Sequence, residues 1–152
     1  GIGNEPHTEP LLLFIAAENA QPYALWLLVA LAGLRRSEVL GLRWSDVDLT
    51  RGRVAIRQVI TKVGSRAELK EAPKSDHGYR SLDIGPKLCA VLHARRREQE
   101  HERATEVEWE DNDLVFCHPS YGPRGVPPGR WWYPDHPTHA IAELIETSGL
   151  PR

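Results

Sequence analysis

The stretch from Tyr23 to Leu34 is apolar almost all the way round a helix, and a helix of that kind has no face to offer water. It must be wrapped by the rest of the chain or buried in a membrane. A bilayer span needs roughly 20 apolar residues, and the uncharged run from Ala24 to Leu34 is far shorter. A central core helix is therefore expected, with Gly33 as its left-handed stop. A chain of 152 residues, 41% of them hydrophobic, has the material for one domain or part of one. The sequence lacks methionine and opens Gly1-Ile2-Gly3, so it is expected to begin inside a longer reading frame or after processing. No signal peptide is apparent. Cys89 and Cys117 form no close-spaced pair, which fits a reducing compartment, and a cytoplasmic protein without membrane contact is expected.

Around that helix the punctuation is regular. Thr8-Glu9-Pro10 reads as an N-cap with proline in the first turn, opening a helix to about Asn19 that Gln21-Pro22 breaks. A short helix restarts near Ser37 and runs out at Trp44-Ser45-Asp46, where Asp46 and Asp48 suit a turn. Arg53 to Val63 and Arg80 to Ile84 alternate apolar and polar residues as half-buried strands do, and Gly64 to Gly78 reads as a polar connection. Pro86 opens a long helix to about Arg103, with Leu88, Val91 and Leu92 inward and Arg97 and Glu100 outward. An acidic loop from Glu106 to Asp113, a short buried strand Leu114-Val115-Phe116, a Gly/Pro-rich loop from Pro119 to Pro134 and a helix from Thr138 to Thr147 stopped by Gly149 complete the chain.

The net charge of −2 argues against a nucleic-acid partner, but its distribution does not. Between Arg35 and Ala104 sixteen basic side chains face ten acidic ones, whereas both flanks are acidic. Such a basic middle is either a phosphate-facing strip or a solvated surface.

Within that middle, Gly33-Leu34-Arg35-Arg36-Ser37-Glu38 places paired arginines at a junction between two helices. A guanidinium held there matches the oxygens of a phosphate, helix N–H groups add donors, and Glu38, one turn on, can orient Arg35 through a salt bridge. The plainer alternative is a surface pair with Glu38. Pro73-Lys74-Ser75, followed by His77, lies in the polar connection, where most lysines are merely solvated.

The segment from Ala30 to Asp48, centred on Gly33-Leu34-Arg35-Arg36-Ser37-Glu38 and Gly41-Leu42-Arg43-Trp44, resembles the first catalytic-arginine box of tyrosine recombinases, the phage integrase family. Ala72-Pro73-Lys74-Ser75 with Arg80-Ser81-Leu82-Asp83-Ile84 stands where that family carries a Pro-Lys-Thr/Ser element on a hairpin. Leu114 to Phe116 and Leu144 to Pro151 resemble the family's short buried strand and the helix and turn leading to its next motif. The resemblance implies an α+β fold, mainly helical with a small antiparallel β-sheet, a truncated form of the recombinase catalytic domain. Residues 1–7 would be a linker remnant and residues 8–152 the N-terminal part of that domain. It further implies that Arg35 contacts the scissile phosphate, that Glu38 supports Arg35, and that Lys74 is the general acid for the leaving 5′-oxygen. Arg36, Arg57, Lys62 and Lys70 are expected to attract the DNA backbone. The implied partners are double-stranded DNA and other recombinase subunits on it, with no cofactor and no metal.

The resemblance places the family's His-x-x-Arg motif, its later His or Trp and its nucleophilic tyrosine after Arg152. Tyr23, Tyr79, Tyr121 and Tyr133 stand in other contexts, so the chain alone is expected to be inactive although its parent is an enzyme. The alternative function is a non-catalytic DNA-binding remnant of a truncated integrase gene. A third is a functionless piece, made sticky by the uncovered face of the central helix. Cys117-His118 with His136 and His139 has poor spacing for zinc, and Trp131-Trp132-Tyr133 reads as a plug over a small core or a surface for stacking bases.

Overall fold

The computed structural model describes residues 20–74 and 79–139. The expected helix before Gln21, the residues Ser75 and His77, and the segment from residue 140 onward, with most of the expected last helix and the 144–151 turn, lie outside the described residues.

Helix α1 spans Ala20–Ala32. It buries Ala24, Leu25 and Leu28, while Trp26 and Leu31 remain about half exposed. Pro22 sits in the first turn, where its missing N–H leaves no hydrogen bond unmade. Gly33 stops the helix at φ +72°, as expected for a residue without a Cβ. The chain then turns into the short helix α2, Arg36–Leu40, whose Val39 and Leu40 are fully buried. Gly41 lets this helix lie directly on the next layer, because a Cβ there would stand 2.6 Å from the Gln58 carbonyl oxygen.

A single 3₁₀ turn, Trp44–Asp46, leads into strand β1, Val47–Asp48. Strands β2 (Arg53–Ile56), β3 (Gln58–Val63), β4 (Arg66–Glu71) and β5 (Arg80–Asp83) follow. They form two antiparallel ladders, β1-β2-β5 and β3-β4. Two expectations are corrected here. The run from Arg53 to Val63 is two strands, since the chain leaves one ladder for the other at Arg57. The polar connection Gly64 to Gly78 contains β4, which pairs with β3 from Gln58↔Glu71 to Val63↔Arg66. Its Arg-Ala-Glu-Leu-Lys-Glu sequence is mostly exposed on both faces, so no alternation announces a strand.

Helix α3, Gly85–Thr105, packs Leu88 and Leu92 into the core and leaves Arg97 and Glu100 in water. Segment 114–117 is buried as expected but, among the described residues, makes only one bridge, Arg43↔Leu114, extended by Val115 N–H to the Leu42 carbonyl at 3.0 Å. Side chains of α3 hold its other edge. Arg95, 1% exposed, donates to the Val115 carbonyl at 2.8 Å and pairs with Glu98 and Glu102. Gln99 donates to the Leu114 carbonyl at 2.7 Å and accepts from Trp44 Nε1, also at 2.7 Å. The Gln21 amide oxygen accepts from Cys117 N–H at 2.7 Å and Trp132 Nε1 at 3.1 Å, so α1 anchors the same segment. Trp131 and Trp132 pack against the core, and the Trp132 ring meets those of His118 and His136, with centroids 4.0 and 4.4 Å away. Trp132 therefore packs as a plug over the core. Among the described residues the last helical turn starts at Asp135, three residues before the expected Thr138.

Removing Arg95 strands two carboxylates and a buried carbonyl. Arg95→Ala should cost about 3–5 kcal/mol, read as a lower urea midpoint with an unchanged slope, while Arg97→Ala on the exposed face should stay within about 0.5 kcal/mol.

Candidate active site

Arg35 occupies the N-cap of α2 with extended backbone (φ −75°, ψ 151°), and its side chain is exposed. Its carbonyl accepts from the N–H groups of Glu38 and Val39, each at 3.0 Å, and its own N–H donates to Glu38 Oε1 at 2.8 Å. Glu38 thus fixes the backbone of Arg35. The expected salt bridge between the two side chains is replaced by another. Arg80, at the start of β5, forks onto the Glu38 carboxylate with Nη1–Oε2 at 2.6 Å and Nη2–Oε1 at 3.0 Å. Glu38 is only 3% exposed, and a carboxylate buried to that degree requires a partner of opposite charge. Sequence reading placed Arg80 only in a strand; the requirement of a buried glutamate for a cation was the signal that could have singled it out.

Burial on its own would raise the Glu38 pKa, but the Arg80 hydrogen bonds, the Arg35 N–H and the charges of both guanidinium groups outweigh it and hold the carboxyl below its ordinary value of 4.5. Among the described residues no side chain forms a hydrogen bond or ion pair with the Arg35 guanidinium, which projects from a backbone pinned on both sides.

Lys74 follows β4 and is exposed. The Ala72 N–H, bonded to the Arg57 carbonyl at 2.9 Å, anchors the segment that carries it. Lys74 lines a groove of about 830 Å³ with Arg43, Arg57, Gln58, Glu71 and Tyr79. Asp46 takes both arginines there, Arg43 Nε at 2.8 Å and Arg57 Nε at 3.3 Å, and the Arg57 guanidinium lies 4.8 Å from the Tyr79 ring centroid. The Gln58 side-chain nitrogen is buried without a partner among the described residues. Arg35 does not line this groove. Glu38 and Arg80 tie Arg35 to the start of β5, whereas the hairpin that leads to Lys74 meets α2 where Gly41 lies on Gln58 of β3.

The remaining expected DNA contacts fall into different settings. Arg36 and Lys62 converge on Asp135 at 3.3 and 2.8 Å. Lys70 stands 3.9 Å from Glu68 on the exposed face of β4. The hairpin itself is braced by Trp131 Nε1, which donates to the Ala67 carbonyl at 3.2 Å, and by the Tyr133 hydroxyl, which donates to the Gly64 carbonyl at 3.4 Å. The Tyr121 hydroxyl is bonded to Glu108 at 2.5 Å. Among the described residues none of the four tyrosines forms a hydrogen bond or ring contact with Arg35.

Known proteins resemble this chain in sequence and in fold. The chain is 28% identical over 106 residues to prophage integrase IntR of Escherichia coli strain K12, a match covering 70% of this chain and 23% of IntR. It is 31% identical over 88 residues to a XerC-like tyrosine recombinase of Caldanaerobacter subterraneus subsp. tengcongensis, covering 53% of this chain and 22% of that protein. The crystal structure of XerA recombinase matches the whole chain with a TM-score of 0.61 at 18% identity, over 45% of its own length. The chain is tyrosine-recombinase-like. The Tn1549 transposon integrase, solved with a circular intermediate DNA, matches 96% of the chain with a TM-score of 0.59 at 14% identity, over 44% of its own length. The chain therefore spans under a quarter of either curated relative and under half of either solved structure. No family model matches it. The fold is that of the recombinase catalytic domain, α+β as expected from the sequence, with the sheet divided into two ladders. Among the described residues of this recombinase-like chain no helix is long and apolar enough to cross a membrane.

Glu38→Ala should destabilise the protein by roughly 2–3 kcal/mol, less than the 3–5 of a fully buried pair because Arg80 keeps access to water. The folded-state pKa of Glu38 lies below its unfolded value, so its stabilisation is complete above about pH 4.5 and is lost as pH falls through the folded value. Glu38→Gln should flatten that acid limb, measured by thermal unfolding between about pH 6 and 3.

Proposed function

We propose that this chain contributes the first half of a tyrosine recombinase active site, which binds double-stranded DNA and cleaves and rejoins it through a 3′-phosphotyrosine. The observation that carries the reading is the buried Glu38, bound at once to the Arg35 N–H and to Arg80. It fixes an exposed arginine relative to the start of β5, and such pre-positioning is what transition-state stabilisation requires. In this reading Arg35 forks onto the non-bridging oxygens of the scissile phosphate as charge builds there, and Lys74 protonates the leaving 5′-oxygen. Arg57, in the groove beside Lys74, and Lys70, exposed on the hairpin, add attraction for the neighbouring backbone. The chemistry needs neither metal nor nucleotide cofactor. The nucleophilic tyrosine belongs to another part of the recombinase, and the complete reaction takes place among recombinase subunits assembled on DNA in the cytoplasm.

The chain should bind duplex DNA with an affinity that falls linearly in a log–log plot against salt, and Arg35→Ala or Lys74→Ala should each lower the slope by about 0.9. Fluorescence anisotropy at several salt concentrations measures this, and an absence of duplex binding at low salt would sink the reading. In a protein that supplies the nucleophile, Lys74→Ala should block cleavage of an ordinary phosphodiester yet spare a duplex whose leaving oxygen is sulfur, because a thiolate leaves without a proton.

A further inference from the structure

Asp135 joins two elements that are distant in sequence. Its Oδ1 lies 3.3 Å from Arg36 Nη2 and its Oδ2 lies 2.8 Å from Lys62 Nζ. The other guanidinium nitrogen of Arg36 donates to Thr138 Oγ1 at 2.9 Å, and the Lys62 ammonium lies 5.9 Å from the Tyr133 ring centroid. A cation from α2 and a cation from β3 are thus aimed at one anion, each toward a different oxygen. A phosphodiester offers the same two non-bridging oxygens. The arrangement is open to water, with the Arg36, Lys62 and Asp135 side chains 36%, 43% and 34% exposed. Ion pairs so exposed contribute little to folding, so stability does not account for them. Arg36 adjoins Arg35 in sequence, and Lys62 lies on the hairpin that leads to Lys74.

We propose that Arg36 and Lys62 form one phosphate-binding fork for the backbone of double-stranded DNA, and that the Asp135 carboxylate occupies this fork while DNA is absent. The proposal rests on the DNA reading above. A phosphate entering the fork displaces Asp135 into solvent, which needs no more than rotation of a short, exposed side chain. The carboxylate leaves the fork one net positive charge in place of two, which weakens its pull on any isolated anion. A DNA backbone, whose neighbouring phosphates also engage Arg57 and Lys70, still displaces it. Asp135 therefore disfavours stray anions more than it disfavours duplex DNA.

Duplex binding followed by fluorescence anisotropy tests this with Asp135→Asn, which keeps the side-chain shape and removes the charge. The variant should bind about three- to tenfold more tightly at low salt, and the gain should shrink as salt rises. Asp135→Ser should show the same gain, which covers the case in which Asn disturbs the local fold. Adding Lys62→Gln to Asp135→Asn should abolish the gain, since only one cation then remains in the fork. Unchanged or weaker binding by both Asp135 variants, with the wild-type chain binding DNA, would overturn this proposal alone. If neither wild type nor variants bind duplex DNA, the fork and the DNA reading both fall.

Discussion

The carboxylate of Glu38 is the constraint on which the candidate site depends. It is almost completely buried, and a carboxylate in that position persists only where hydrogen bonds and a counter-charge replace water. The Arg35 N–H fills one part of that requirement and the Arg80 fork fills the rest. One side chain thereby sets the backbone of the residue that faces solvent and ties the start of α2 to the start of β5. Gly41 adds a second constraint, because only a glycine allows the end of α2 to touch the backbone of β3. Between them these contacts fix the helix that presents Arg35 against both ladders of the sheet.

The basic character of the middle of the chain is largely spent inside the protein. Arg80 is committed to Glu38, Arg95 to Glu98 and Glu102, Arg43 and Arg57 to Asp46, and Arg36 and Lys62 to Asp135. Only some of these commitments are structural. Arg95 is sealed into the core and holds segment 114–117 in place, whereas the pairs on Asp135 are half open to water. A net charge near zero is compatible with a DNA-facing surface when exposed cations can exchange an internal carboxylate for a phosphate.

The helices were legible because their signals are local. Apolar residues run through α1, Gly33 ends it, and Pro86 opens α3 with Leu88 and Leu92 on one face. The strands were harder to read. The ladder switch at Arg57 follows from tertiary pairing alone, and β4 is exposed on both faces, so neither leaves a period in the sequence. At the site, Arg35, Glu38 and Lys74 were named from the two motif segments that carry them. The partner of Glu38 was misassigned because Arg35 is the nearest arginine in sequence, whereas burial of the carboxylate selects Arg80, a long-range partner. Asp135 was missed for the same reason, since nothing near it in the chain reveals the two cations that fold onto it.

The central claim is that Arg35 and Lys74 act on one phosphate. A double-mutant cycle on duplex affinity at low salt tests it most directly, using Arg35→Ala, Lys74→Ala and the two together in the wild-type chain. If the two cations share a phosphate, the double variant should lose less affinity than the sum of the single losses, with a coupling above about 0.5 kcal/mol. Losses that add to within about 0.3 kcal/mol would place the two cations on separate phosphates and contradict the account.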